Sequence, residues 1–282
     1  MSIAPKRSRV VFQKLERDLI KLSSQPRASH VHRFRTGTRR LQILLGELSS
    51  KPDSRHKKLF KLLNRLRKRA GKVRDLDVQL AALRSLKVPQ EPRRKTQLVN
   101  GLIELRAQQE KKLRKAADKN TVREIRKRLK RAARNFKPEA GRDPLAIARG
   151  MLQAIEREDA PATEALLHQY RILSKRVRYA AEFADDSAES ERFIADLKRI
   201  QDALGDWHDW LTLTQTAIEH LGEVHESSLV AELRNVTGAK FRHGVTVLSH
   251  LRNKPAPTLQ HVAQPPVRTP VKSSRPAVSS AA

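Results

Sequence analysis

The sequence predicts an all-α protein made of two halves of roughly four helices each, followed by a disordered C-terminal tail. Apolar residues recur at steps of three and four along most of the chain, the spacing that places them on one face of a helix. Apolar residues make up 38% of the 282 residues but aromatic residues only 4%, which suits helix bundles better than a sandwich or barrel. Two pairs of segments also match at nearly equal offsets, which indicates duplication of a helical unit of about 130–140 residues.

The first half is predicted to begin with a helix from Ser8 to Leu22, followed by the helix around which the rest of the chain is organised, His32–Leu48. Pro26 and Ser29 are predicted to precede this second helix. Its apolar face consists of Val31, Phe34, Thr38, Leu41, Leu45 and Leu48. One position over, a cationic row, which we call the first stripe, consists of His32, Arg35 and Arg39, with Arg40 beside it.

The remainder of the first half is predicted to contain two long helices. One runs from about Arg55 to Leu86, and prolines then interrupt the chain. The next runs from about Arg93 to Ala117 and is interrupted after that residue. A capping box at Thr121–Glu124 is predicted to restart it as far as Phe136.

The second half follows a boundary between Lys137 and Asp143, where Pro and Gly punctuate the chain. Asp143 is predicted to cap a helix that has Pro144 at its first position. Thr163 is predicted to start a helix that carries the second stripe, defined as His168, Arg171, Lys175 and Arg178. Further helices are predicted at about 188–220 and 224–251.

The domain organisation predicted from these elements has three parts. Residues 1–138 form the first helical half and residues 142–252 the second. From residue 253 to residue 282 the composition is Pro, Ser, Thr, Val and Ala without periodicity, which predicts a disordered tail.

The two halves repeat their polar residues as well as their helices. His32, Arg35, Arg39 and Arg40 align with His168, Arg171, Lys175 and Arg176 at an offset of 136. Arg67, Gly71, Arg74 and Asp75 align with Gln201, Gly205, His208 and Asp209 at an offset of 134.

Charge is unevenly distributed along the chain. The formal net charge is +29, which indicates a polyanionic partner. Residues 1–150 contain 43 Lys and Arg against 13 Asp and Glu, whereas residues 151–250 contain 11 against 17. The second stripe therefore persists in an acidic part of the chain, and ligand binding explains it better than general basicity does.

Several protein classes are disfavoured. The chain has no cysteine, which excludes disulfides and thiolate metal sites and favours a reducing compartment. The sequence has neither an apolar run long enough to span a membrane nor a secretory signal at its start. We expect a cytoplasmic protein with no membrane partner.

Three sets of polar or small residues allow more than one interpretation. Gly71 and Gly205 predict close approach of either another helix or a ligand. Asp75 and Asp209 are expected to orient Arg or His side chains of the striped helices rather than to bind metal. The stripe histidines are expected to donate to phosphate rather than to bind metal, because each lies among cations.

At these residues the chain resembles the CHAD family, the conserved-histidine α-helical domain. The matching segments are HxxRxxxRR at His32–Arg40, RDLDV at Arg74–Val78, HxxRxxxKRxRY at His168–Tyr179 and the LGDxxD segment at Leu204–Asp209. The resemblance covers roughly residues 8–252. It implies two pseudo-symmetric four-helix bundles around a basic cavity or groove that binds inorganic polyphosphate. The family often adds a CYTH triphosphatase-type domain, and we expect none here.

On this resemblance the binding residues are expected to be His32, Arg35, Arg39, Arg40, Arg67, Arg74, His168, Arg171, Lys175, Arg176, Arg178 and Lys198. Gln201 and His208 stand where the first half has Arg67 and Arg74, so the two halves are not expected to be equal. The expected partner is polyphosphate, either free or in granules, with no cofactor.

Three functions remain as alternatives. The first is non-catalytic polyphosphate binding, which fits rows of cations with few aromatic residues. The second is RNA or DNA binding through the basic first half and the tail. The third is an enzyme acting on phosphoanhydrides, which would need metal-binding carboxylates such as Asp75, Asp77 and Asp209. We expect the first, and no enzyme activity.

Overall fold

The structure, a computed structural model, describes residues 5–49, 56–87, 92–137, 141–156, 162–221 and 227–252. Within these ranges the chain forms nine α-helices and no strand, which confirms the predicted all-α class. None of the helices in these ranges has the length and apolar character needed to cross a membrane. The predicted disordered tail lies outside the described residues.

The helices follow the order predicted from the sequence. In the first half they are α1 (Pro5–Ser24), α2 (Ala28–Gly46), α3 (Lys57–Ser85), α4 (Pro92–Ala116) and α5 (Lys119–Asn135). In the second half they are α6 (Pro144–Glu156), α7 (Glu164–Ala181), α8 (Ala188–Leu221) and α9 (Ser228–Arg252). The predicted starts at residues 55 and 224 lie outside the described residues.

Of three helix caps predicted from the sequence, the structure confirms two. The Asp143 carboxylate accepts from the Leu145 N–H at 2.9 Å, and the Thr163 hydroxyl accepts from the Leu166 N–H at 3.2 Å, as predicted. The predicted capping box at Thr121–Glu124 is wrong. Asp118 caps α5 instead, because its carboxylate lies three residues earlier and accepts from the Thr121 N–H at 2.8 Å.

The start of α2 also differs from the prediction. Ser29 lies inside the helix rather than before it. The Arg27 carbonyl already accepts from the N–H groups of His30 and Val31 at 2.9 and 3.0 Å. The first helical turn therefore forms directly after Pro26 and Arg27.

The predicted apolar faces of the striped helices are buried. Thr38 belongs to the predicted apolar face of α2, and Ser174 shares a face of α7 with Tyr170 and Val177 at the three–four step. The exposed fractions of Thr38 and Ser174 are 0% and 1%. In α1 the buried face includes Phe12 rather than the predicted Val11, which is only partly buried. The polar stripes consequently lie on the sides of α2 and α7 that are not packed into the core.

The helices pack as layers that join the two halves. In the first half α2 contacts α1 and α3, and α3 contacts α4. In the second half α7 contacts α6 and α8, and α8 contacts α9. The halves meet where α2 packs against α7 and α3 against α8. The predicted repeat aligns α2 with α7 and α3 with α8. The duplication itself stays a prediction.

Both buried apolar clusters contain residues from each half. The larger extends from Phe12 in α1 to Leu248 in α9. The smaller joins the end of α3 and the start of α4 to the end of α8 and the start of α9, through Leu80, Leu83, Leu98, Leu102, Leu213, Ala217, Leu229, Val230 and Leu233. The relative position of the stripes is therefore set by shared cores.

Candidate functional site

The two stripes border the same cavity, which we call the central cavity. It has a volume of about 1100 Å³ and is lined by residues of α1, α2, α3, α7 and α8. The cavity lies where α2 contacts α7 and α3 contacts α8. The apolar faces of α2 and α7 are buried in the core, and their polar sides border the cavity.

Most of the predicted site residues reach this cavity. Those that line it are His32, Arg35, Arg39, Arg40, Arg74, Asp75, Arg171, Lys175, Arg178 and Asp209. The structure therefore brings cations of both stripes together, although the segments that carry them are separated by 136 residues in the sequence.

Four predicted binding residues do not line the central cavity. Arg67 donates to the Asn64 side-chain oxygen at 3.3 Å, and Arg176 pairs with Glu47. Lys198 pairs with Asp202 at 2.8 Å on an exposed part of α8. The His168 ring lies 5.2 Å from the His208 ring. Their participation in binding stays a prediction.

The acidic residues of the cavity are already neutralised by cations. Twelve Lys and Arg but only five Asp and Glu line it, and each of the five acids is in an ion pair. The pairs are Asp18–Arg33, Asp75–Arg35, Glu182–Arg40, Asp202–Lys198 and Asp209–Arg171. The cavity therefore holds a surplus of positive charge.

Part of this surplus lies between the halves, where the charge of Arg39 helps to lower the pKa of Lys175. We call Arg39, Arg74 and Lys175 the central cations. Arg39, Arg74 and Lys175 are half-buried, and none makes a hydrogen bond or ion pair within the described part of the chain. Arg39 and Lys175 are equivalent positions of the two stripes. Unpaired donors held at a concave surface in this way are suited to bind an anion.

Two ion pairs correspond across the repeat. The Arg35 guanidinium lies 3.9 Å from the Asp75 carboxylate, and the Arg171 guanidinium lies 3.8 Å from the Asp209 carboxylate. Burial raises the pKa of both carboxyl groups, and the neighbouring arginines oppose this increase. Although Asp75 exposes much of its side chain, that surface faces the cavity, where the surrounding protein still reduces hydration.

Gly71 and Gly205 differ in what approaches them. A Cβ atom at Gly71 would lie 2.2 Å from the Arg35 guanidinium, whereas at Gly205 no atom lies within 4 Å. The close contact at Gly71 is therefore made by another helix, α2, through the Arg35 side chain of the first stripe, whereas no other described helix approaches Gly205 within that distance. The missing Cβ lets Arg35 lie against α3.

Mutual repulsion and burial perturb several cavity cations. Burial, Arg171 and Arg39 lower the pKa of Lys175 to about 7. Burial and Arg74 lower the pKa of His32. His208, which does not line the cavity, has its pKa lowered to about 4 by burial and the nearby charges of Arg171, His168 and Lys175. A bound anion would stabilise the charged forms of His32 and Lys175.

One side of the cavity connects the halves through aromatic and polar contacts. Arg40 donates to Glu182 at 2.7 Å, and the same carboxylate lies 3.6 Å from Arg178. The Tyr179 ring lies 5.7 Å from the Arg40 guanidinium carbon and 5.3 Å from that of Arg178. These contacts hold the two arginines at the cavity surface.

The possible metal-binding carboxylates do not form a cluster. Asp77 accepts from Arg106 at 2.8 Å, while Asp75 and Asp209 lie beside arginines. Among the residues that the structure describes, no group of three or more His, Asp or Glu side chains is placed to hold a metal ion.

The contribution of α1 to the cavity was not predicted from the sequence. Lys14, Arg17 and Lys21 also line the cavity, and they recur at the three–four step that defines a helix face. This signal was visible in the sequence, but the repeat on which the site prediction depended does not contain it.

Comparison with known proteins agrees with the fold. The family model of the CHAD domain matches residues 11–217. The crystal structure of the CHAD domain from the plant Ricinus communis has a TM-score of 0.62 and 19% sequence identity, and the match covers 88% of this chain and 89% of that one. No curated protein sequence matches the chain.

Proposed function

This chain belongs to the CHAD domain family, and we propose that its central cavity binds inorganic polyphosphate without catalysing a reaction on it. The observation that carries this proposal is the position of Arg39 and Lys175. These equivalent cations from the two halves border one cavity, and neither makes an ion pair within the described residues.

The charge balance of the cavity supports a linear polyanion as the ligand. All five cavity acids are paired, so a ligand would meet the unpaired cations without having to break many existing pairs. Guanidinium groups bind phosphate oxygens in bidentate fashion and keep their charge at any physiological pH. Polyphosphate offers such oxygens along its whole length.

The aromatic residues of the cavity favour polyphosphate over a single-stranded nucleic acid. Tyr179 and Phe183 border the cavity, but only 5% and 3% of their surfaces are exposed. Proteins that bind single strands use accessible aromatic rings to stack the bases. A ligand without bases needs no such rings.

The carboxylates of the cavity support binding without catalysis. Metal-assisted phosphoryl transfer needs carboxylates free to hold divalent cations near the phosphates. Asp75 and Asp209 instead lie beside Arg35 and Arg171. We expect no release of phosphate from polyphosphate when the protein is incubated with Mg²⁺.

The proposal is tested by removing the two central unpaired cations. The variant Arg39→Gln with Lys175→Gln should bind long-chain polyphosphate at least about tenfold more weakly, since each hydrogen bond to a charged group contributes about 1.5–3 kcal/mol. Isothermal titration calorimetry at pH 6.5, where Lys175 is largely protonated, measures the affinity.

A matched control keeps the net charge of the variant but leaves the cavity intact. Lys111→Gln with Lys112→Gln changes two exposed lysines of α4, and its affinity should equal that of the wild type. Equal affinities of the cavity variant and the wild type would contradict the proposal. So would displacement of bound polyphosphate by RNA or DNA at equal phosphate concentration, which would favour the nucleic-acid alternative.

A further inference from the structure

One face of α1 adds a row of cations to the same cavity. We call this row the α1 stripe, and it consists of Lys14, Arg17 and Lys21. All three side chains are exposed, and none makes a hydrogen bond or ion pair in the part of the chain that the structure describes. The row spans eight residues of helix, or about 10 Å along the axis. It therefore lengthens the positive surface of the cavity along α1.

The acidic residues of α1 do not neutralise this row. Glu16 is paired on another side of the helix, with Arg126 at 2.8 Å and Lys130 at 3.9 Å, both on α5. Asp18 lies 3.6 Å from Arg33, which is a further cavity residue. The cations of the α1 stripe are thus left available while the neighbouring carboxylates are occupied.

The second half offers no matching row in its described residues. At the offset of 136, Lys14 and Arg17 correspond to Gly150 and Gln153, and the residue equivalent to Lys21 lies outside the described ranges. Arg149 is the only basic residue of α6, and it pairs with Glu189. Among the residues that the structure describes, the cavity is therefore extended by a row of cations from α1 and by no equivalent row from α6.

We propose that the α1 stripe is a second polyanion subsite, continuous with the central cavity, that binds the part of a long polyphosphate chain extending beyond the central cations. The inference rests on the proposed function. According to this inference, a long polyphosphate that occupies the central cavity continues along α1. Short polyphosphates, which the central cations can hold alone, do not depend on this subsite.

The test compares two ligand lengths on one variant. In Lys14→Gln with Arg17→Gln and Lys21→Gln, affinity for long-chain polyphosphate should fall at least about tenfold, and the slope of log K against log salt should decrease by about 2, at about 0.7 for each lost phosphate contact. Affinity for tripolyphosphate should fall much less, because the central cations can hold the whole of this short ligand. The charge-matched control is Lys111→Gln with Lys112→Gln and Lys115→Gln on the exposed surface of α4.

The outcomes separate this inference from the proposed function. If the wild type binds both ligands and the variant loses neither, or loses both equally, the α1 subsite is contradicted while polyphosphate binding stands. If the wild type binds neither ligand, the proposed function itself fails. Circular dichroism of the variant before titration shows whether it is folded, which is expected because the substituted side chains are exposed.

Discussion

At the scale of single residues, the two halves of the cavity carry different kinds of positive charge. The first half presents Arg39 and Arg74, and guanidinium groups do not lose their proton in proteins. The equivalent positions of the second half are Lys175, which lines the cavity, and His208, which does not, and their pKa values fall to about 7 and about 4. The charge of Lys175 therefore depends on pH and on whether an anion is bound, whereas Arg171 and Arg178 of the same half stay charged.

This difference predicts a pH dependence of binding that is due to Lys175. Its neighbours are the cations Arg171, Arg39 and Arg35 and the carboxylate of Asp209. Above pH 7 the free protein loses the Lys175 proton, and binding an anion must take a proton up again. Affinity for polyphosphate should thus be highest below pH 7 and fall between pH 7 and 9, by at most about tenfold per pH unit.

The variant Lys175→Arg should reduce this dependence, because arginine stays charged throughout that range. Titrations of the wild type and the variant at several pH values measure the effect, and the comparison removes any contribution from titration of the ligand. A decline of equal size in both proteins would show that another group is responsible.

At the scale of helices, Gly71 shows how α3 serves the stripe on α2. A glycine inside a helix costs up to about 1 kcal/mol relative to alanine. Here the missing Cβ leaves space for the Arg35 guanidinium, which would lie 2.2 Å from an added Cβ. Gly71 therefore lowers the intrinsic stability of α3, but it allows Arg35 of α2 to lie against this helix.

Gly71→Ala should stabilise α3 yet weaken binding, because the new methyl group displaces Arg35. We expect the free energy of unfolding to rise by up to about 1 kcal/mol and polyphosphate affinity to fall several-fold. Chemical denaturation and calorimetric titration measure the two effects.

Gly205→Ala is the matched control, since no atom lies within 4 Å of its added Cβ. This variant should show the gain in stability without the loss of affinity. A loss of affinity in Gly205→Ala equal to that in Gly71→Ala would contradict a role specific to Arg35.

At the scale of the whole molecule, the two halves depend on each other for their cores and for the site. The larger buried cluster runs from α1 to α9, and the smaller joins α3 and α4 to α8 and α9. Gln79 also donates to Thr216 at 3.2 Å across the same interface. The stripes can converge only when both halves are folded and packed together.

The shared cores predict that the chain unfolds cooperatively. Differential scanning calorimetry should show a single transition in which the calorimetric and van't Hoff enthalpies agree. Polyphosphate should move this transition to higher temperature, because a ligand that binds only the folded state stabilises it. Two separate transitions would mean that the halves are independently stable domains.

Periodicity in the sequence was sufficient to predict the helices and their buried faces. The three–four spacing placed Thr38 and Ser174 on apolar faces, and both are buried. The same spacing identified the two stripes, and the CHAD motifs identified the family that the family model also matches. These properties are local, since a helix of known period shows which residues share a face.

Only the tertiary structure decided which cations meet. The spacing placed Arg178 but not Arg176 in the second stripe, yet nothing local shows that Arg176 pairs with Glu47. Nothing local shows either that Lys14, Arg17 and Lys21 of α1 border the same cavity as the stripes. These outcomes depend on how α1, α2 and α7 pack through side chains that are distant in the sequence. Helical period determines the direction of a side chain from its own axis, whereas packing between helices determines what it faces.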